Sequence, residues 1–330
     1  MFKRLAIAGL MLVVGVFSVG PAHSDSDMFS GKTITYIVAT KPGGGYDTMG
    51  RLVAKYMEKH LTGSQIIVKN VPGAGHLIGA ETIYSSEPDG LTIGTFNSGL
   101  IYSQLTGQVE GKLDLSKMSW IGKAAAEPRV VMVSAASDLK SIEDFKDPAR
   151  QIKISANGKG SSGHFDTMML AKSMGLNVRV IFGFEGTEGE MSLLRGEIDS
   201  VVGSRSSLQN YVDNGQARFL LEIGGKPGSI TPQINYIALS EQAKSAVRLI
   251  ESQAQFVRAT VGPPGIPEEI LKALRDAYMA ALADPALLEE AAKMRIEIDA
   301  ASGETVAEHI RAALVQPPEI ITFMKSIMDE

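Results

Sequence analysis

Three times in this chain a short β-rich run ends in a glycine-rich loop and restarts as a helix. The runs are residues 34–39 before KPGGGYD, 66–69 before NVPGAGH, and 152–156 before NGKGSSGH. No other feature constrains the fold as much, because strand, tight turn and helix are the repeating unit of open α/β sheets. The unit also puts a helix start at the carboxyl end of a strand, where such sheets bind ligands. The first and third instances open the two halves of the chain, which predicts two similar lobes, each a sheet flanked by helices.

The rest of the pattern agrees. Further β-rich runs fall at 91–96, after the turn signal Pro88-Asp89-Gly90, and at 130–134, 178–182, 199–202 and 219–223. Between them Met49, Leu52, Val53, Tyr56 and Met57 share one helical face, and residues 168–174 repeat the pattern. The end of the chain is helical at 267–283, 285–294 and 303–314.

The N-terminus differs in kind. Lys3 and Arg4 precede an apolar run at 5–19, and Ala22-His23-Ser24 offers small residues two apart. This reads as a secretory signal at 1–24, too short for a stable membrane span, with a retained anchor as the other reading. No later stretch reaches the roughly 18 apolar residues of a span. The chain has no cysteine, so neither a disulfide framework nor a lipid-bearing cysteine is available, and the expected compartment is the periplasm. The net charge of −5 becomes −7 once the two cations of the signal are removed. An acidic surface without a basic run excludes nucleic acid as a partner. Any anionic ligand is therefore held by local groups.

Those groups are the glycine loops. A helix start carries unpaired N–H groups and partial positive charge, and glycine lets an anion approach the backbone. The alternative is a tight turn without a ligand. GGGYDTMG lacks the lysine of a P-loop, and the dinucleotide pattern would need glycine where Thr48 stands. Asp47 is placed to cap its helix, and Tyr46 to cover a cleft or pack in the loop. In GKGSSGH, Ser161 or Ser162 with His164 invites a hydrolase reading. The nucleophile-elbow spacing is absent and no acid is placed to orient His164, so anion-binding hydroxyls fit better. His23, His60, His76 and His309 lack metal-ligand spacing, so neither metal nor cofactor is expected. Asn97 and Ser98 follow one strand. Ser204 and Arg205 follow another, where an arginine can clamp a carboxylate or simply meet solvent.

Taken in order, these motifs resemble the substrate-binding receptors of tripartite tricarboxylate transporters, the Bug-type periplasmic solute-binding proteins. Pro42-Gly43-Gly44 with Asp47 and Arg51 is similar to the family's first ligand loop, and Gly158, Gly160, Ser161 and His164 to its second. Asn70, Pro72-Gly73-Ala74-Gly75, Gly196-Glu197-Ile198-Asp199 and GPPGIP at 262–267 carry the resemblance along the chain. It implies a two-lobed periplasmic binding protein fold with the ligand cleft between the lobes. One lobe comprises 28–125 with 226–330, and the other 126–225. It further implies a monomer, without catalysis, that binds a small organic acid and delivers it to a large and a small membrane subunit. The alternatives are a sensing module read by a membrane kinase, or a periplasmic serine hydrolase. Carried over, the carboxylate site is Gly44, Gly45, Asp47 and Thr48 on one lobe, and Ser161, Ser162 and His164 on the other. The chain departs from the family at Gly183-Phe184-Glu185-Gly186, where many relatives have Pro-Tyr-Lys-Gly. Phe184 and Glu185 are thus expected at the far end of the ligand, favouring one carboxylate with an apolar or hydroxylated remainder over a tricarboxylate.

Overall fold

The computed structural model describes residues 28–225, 231–234 and 240–328. The signal at 1–24 and the lobe boundary at 226 lie outside the described residues. The first half of the chain builds β1 (Thr33–Val38), α1 (Gly45–Met57), β2 (Gln65–Asn70), α2 (Leu77–Tyr84), β3 (Thr92–Thr95), α3 (Leu100–Leu105) and β4 (Ser119–Lys123). Next come β5 (Arg129–Ser134), β6 (Ile152–Ala156), α4 (Ser162–Met174), β7 (Val178–Phe182), α5 (Glu188–Leu194), β8 (Ser200–Ser204), α6 (Arg205–Asp213) and β9 (Ala217–Ile223). The remainder is α7 (Glu241–Ala254), β10 (Ala259–Gly262), α8 (Glu268–Ala283), α9 (Pro285–Lys293), β11 (Ala301–Ser302), α10 (Gly303–Ala313) and α11 (Pro318–Met328).

Two mixed sheets result, in a two-lobed α/β fold. The first has the order β11-β4-β10-β3-β1-β2, with β1 parallel to both neighbours and β10 antiparallel to β3 and β4. The second has the order β7-β6-β8-β5-β9, with β6 parallel to β7 and β8, and β5 antiparallel to β8 and β9. Among the parallel strands, β1, β2 and β6 run through a glycine loop into a helix.

Each sheet is covered by helices whose apolar face the sequence encodes. Met49, Leu52, Val53, Tyr56 and Met57 of α1 are all buried, packing with Ile34, Tyr36 and Val38 of β1 and with Leu274 and Tyr278 of α8. In the second lobe Phe165, Met169 and Leu170 of α4 join Val131, Ile152 and Ile154. That core also takes Val247 and Ile250 from α7, and Met324 and Ile327 from α11. Helices expected to belong with the first lobe thus complete the second. The reason is burial: α7 and α11 lay their apolar stripes on α4, and Lys172 donates to the Ser326 carbonyl at 2.8 Å.

The chain therefore passes between lobes at 124–128 and 255–258, and once more between α10 and α11. The first two passages are tied together, Ala124 N donating to Arg258 O and Glu127 N to Ala254 O, each at 3.2 Å. Arg258 takes a left-handed φ of 65° at the second passage, a conformation a branchless residue would adopt more cheaply.

Candidate functional site: a cleft between two helix starts

A cavity of about 120 Å³ lies between the two sheets, room for several heavy atoms rather than a single water. From the first lobe it is lined by Thr40, Gly44, Gly45, Tyr46, His76 and Asn97. The second lobe contributes the ends of β6 and β8, the start of α4 at Ser162 and Gly163, and Phe184, Glu190, Ser204 and Ser207. Arg129 and Arg258, one at each of the first two passages between lobes, complete the wall.

The start of α1 enters this space without a side-chain cap. Gly44 holds the N-cap position, so the first-turn N–H groups are not taken up by a capping side chain. Asp47 is not the cap. It sits in the first turn, where its carboxylate accepts from Gly43 N at 3.0 Å, Arg51 Nε at 3.0 Å and Asn70 Nδ2 at 2.9 Å. Burial raises its pKa, but the hydrogen bonds from Arg51, Gly43 and Asn70 outweigh that and hold it below the ordinary value. Asp47 thus shapes the loop and, like Thr48, is absent from the cavity wall. Gly45 is a glycine for want of space: a Cβ there would run into the Arg258 guanidinium and Ser207 Oγ.

The α4 start is differently arranged. Ser161 is fully buried and caps the helix, its Oγ accepting from His164 N at 3.4 Å. His164 Nδ1 accepts from Gly160 N at 3.2 Å, and burial, then Lys159, depresses its pKa to about 4. An imidazole occupied by a backbone N–H and so weakly basic does not take a proton from serine, which removes the support for the hydrolase reading. Ser162 lines the cavity, whereas Ser161 and His164 support it from behind.

The remaining expected residues divide in the same way. Tyr46, Asn97, Phe184 and Ser204 line the cavity, while Ser98 is buried and bonded to Gln253. Arg205 points elsewhere, donating to Glu222 Oε2 at 2.8 Å and Thr231 Oγ1 at 3.2 Å with Phe219 beneath it. Glu185 is half-buried at the rim, its pKa raised by burial despite Lys41 nearby. Here the lobes meet: Lys41 pairs with Glu188 at 2.8 Å, and a Cβ on Gly44 would lie 3.2 Å from the Gly186 carbonyl oxygen.

Sequence reasoning missed the two arginines, His76 and Glu190. Arg129 pairs with buried Asp166 at 2.7 Å and donates to Ser204 Oγ at 3.0 Å. Arg258 faces Glu127 at 3.4 Å, donates to Ser207 Oγ at 2.7 Å and lies 4.3 Å from the Tyr46 ring centroid. His76 closes a run in which Gly73, Ala74, Gly75 and His76 all have positive φ, two of them without glycine's tolerance. Burial, then Arg258, drives its pKa to about 3, so it is a neutral imidazole, 5.4 Å edge-on to Tyr46. Strain of this kind collects at functional sites. Isolated charges inside apolar runs, AAAEPRVVMV and QFVRATVG, were the available signal for the arginines. Among the described residues no three acids or histidines gather where a metal could be held.

Two lobes around a cleft, joined by passages rather than by one linker, define a solute-binding protein of the periplasmic type. The chain belongs to the tripartite tricarboxylate transporter family of receptors, whose family model matches residues 49–325. A UPF0065 protein of Bordetella pertussis is 25% identical over 295 residues, covering 88% of this chain and 86% of that protein. Among solved structures, the periplasmic binding protein BugD superposes with a TM-score of 0.74 at 21% identity, over 89% of this chain and 97% of that one. MatC of Rhodopseudomonas palustris, solved with bound malate, gives 0.73 at 17% identity, over 90% and 98%. These receptors are a solute-binding class.

Proposed function

We propose that this protein is a periplasmic receptor that closes on a small organic acid and delivers it to the membrane subunits of a tripartite transporter. The observation that carries this reading is the uncapped start of α1, opening on a cavity that the opposite lobe lines with Ser162, Ser204 and Ser207. Backbone N–H groups at a helix start, hydroxyls and two nearby guanidinium groups suit a carboxylate. Malate bound to a structural relative supports the same ligand class. Because Arg129 and Arg258 already have acid partners, they contribute directed donors more than free charge.

Ligand favours the closed form by its differential affinity for the two states. Calorimetry against a panel of organic acids, with small-angle scattering on the same samples, tests both halves of the reading. The parent binds at least one acid and compacts on saturation. Gly45→Val, whose side chain would enter the space of Arg258 and Ser207, neither binds nor compacts while keeping its fold by circular dichroism. Absence of binding by every acid, or undiminished binding by Gly45→Val, refutes the assignment.

A further inference from the structure

The cavity contains one charge that the protein leaves uncompensated. Arg129 is balanced by Asp166 and Arg258 by Glu127, and at the rim Lys41 is balanced by Glu188. His76 is neutral. Glu190, in the first turn of α5, lines the same cavity and has neither a salt bridge nor a side-chain donor among the described residues. Its carboxylate accepts only from its own backbone N–H, and burial pushes the pKa up to about 7. Tyr211 feels it, its pKa raised first by burial and then by Glu190.

We infer that Glu190 forms a second subsite that receives a protonated amine, so that the ligand is a small amino acid rather than a dicarboxylate. The inference deepens the organic-acid reading above and rests on it. With a dicarboxylate bound, two further negative charges join Glu190 in the cleft, and neither cation on its wall is free of an acid partner. Like charges brought together without compensation are strongly unfavourable at low dielectric. A ligand hydroxyl would supply one hydrogen bond but no charge. An ammonium supplies three donors and the missing positive charge, which restores Glu190 to its ionised form. The zwitterion brings no net charge, its carboxylate going to the α1 start and its amine to Glu190. Phe184, on the same wall, faces the apolar carbons between. The acidic residue expected from the sequence, Glu185, sits at the rim, and it is Glu190 that the α5 turn delivers inside.

The test is calorimetry of the purified protein against acids of three to six carbons. Each length is supplied in three forms, carrying at the far carbon an amine, a hydroxyl or a second carboxylate, and the α-amino acids of the same lengths are added. At the best-bound length an amino form binds at least about tenfold tighter than the dicarboxylate, the scale of one charge-assisted hydrogen bond. Glu190→Gln removes that preference, and Glu190→Asp, which keeps the charge, retains its direction. A dicarboxylate that binds the parent tighter than every amino form overturns the inference while leaving the organic-acid reading intact. So does a preference unchanged in Glu190→Gln. Failure of every compound to bind removes the organic-acid reading, and this inference with it.

Discussion

The two helices that open onto the cleft begin with similar sequences and opposite physics. At α1 the loop is half-exposed, its cap is a glycine, and its acid, Asp47, is held by local partners in Arg51 and Asn70. At α4 the whole first turn is buried, its cap is Ser161, and its acid, Asp166, is fixed by Arg129 from the passage between lobes. The first start is built to offer donors. The second is built to be immovable, and its donors are partly spent on itself. Glycine-rich loops that look equivalent in sequence thus divide into a binding edge and an anchor.

The largest effect that separates them concerns their acids. Arg129→Met leaves Asp166 in the core without a cation, and breaking a buried pair in this way costs about 3 to 5 kcal/mol. Arg51→Ala removes a half-exposed partner from Asp47, which keeps Gly43 and Asn70, and costs at most about 1 kcal/mol. Urea denaturation of the two variants measures the contrast, and equal losses would break it. Next in size is the cap. Ser161→Ala lowers stability by about 1 kcal/mol through the lost α4 cap, with no direct loss of a ligand contact. A drop in affinity without a drop in stability would return Ser161 to the binding edge.

The remaining prediction is a pH dependence. The Glu190 pKa is raised from an ordinary 4.5 to about 7, so the folded state retains a proton that the unfolded chain has already released between those values. Stability contributed this way is present below pH 4.5 and is lost as pH rises towards 7. Glu190→Gln, which has no carboxylate to ionise, therefore melts above the parent at pH 8. The gap narrows as pH falls through 7 and closes near 4.5. Melting curves across that range decide the point, and a constant gap would place the cost elsewhere.

Much of this architecture was legible in advance. β1, β6 and β7 announced themselves by β-rich runs ending at glycine, and the α1 face by its spacing of Met49, Leu52, Val53 and Tyr56. β4 and β10 did not, because both are buried along their whole length and short, so neither alternates. The site was half legible. Gly44, Gly45, Tyr46, Asn97, Ser162, Phe184 and Ser204 line the cavity because each stands at or beyond a strand's carboxyl end. Arg129 and Arg258 begin or precede strands on opposite sides of the second lobe's sequence, and only the paired passages bring them to one wall. Glu190 is reached through a helix turn whose direction no local pattern encodes.

The interleaving of the lobes sets the order in which this chain can become a protein. β10 lies between β3 and β4 in the first sheet, yet it is drawn from residue 259 onward. Until it arrives, β4 has no neighbour among the strands before it, and the sheet exists as a β2-β1-β3 fragment with an unpaired edge. The second lobe waits longer, since Met324 and Ile327 close its core. Neither lobe is a foldable fragment, so an emerging chain carries open sheet edges over most of its length, the condition in which aggregation competes with folding. Assembly of such a chain is a problem of timing: most of it must be present before either lobe can close its core.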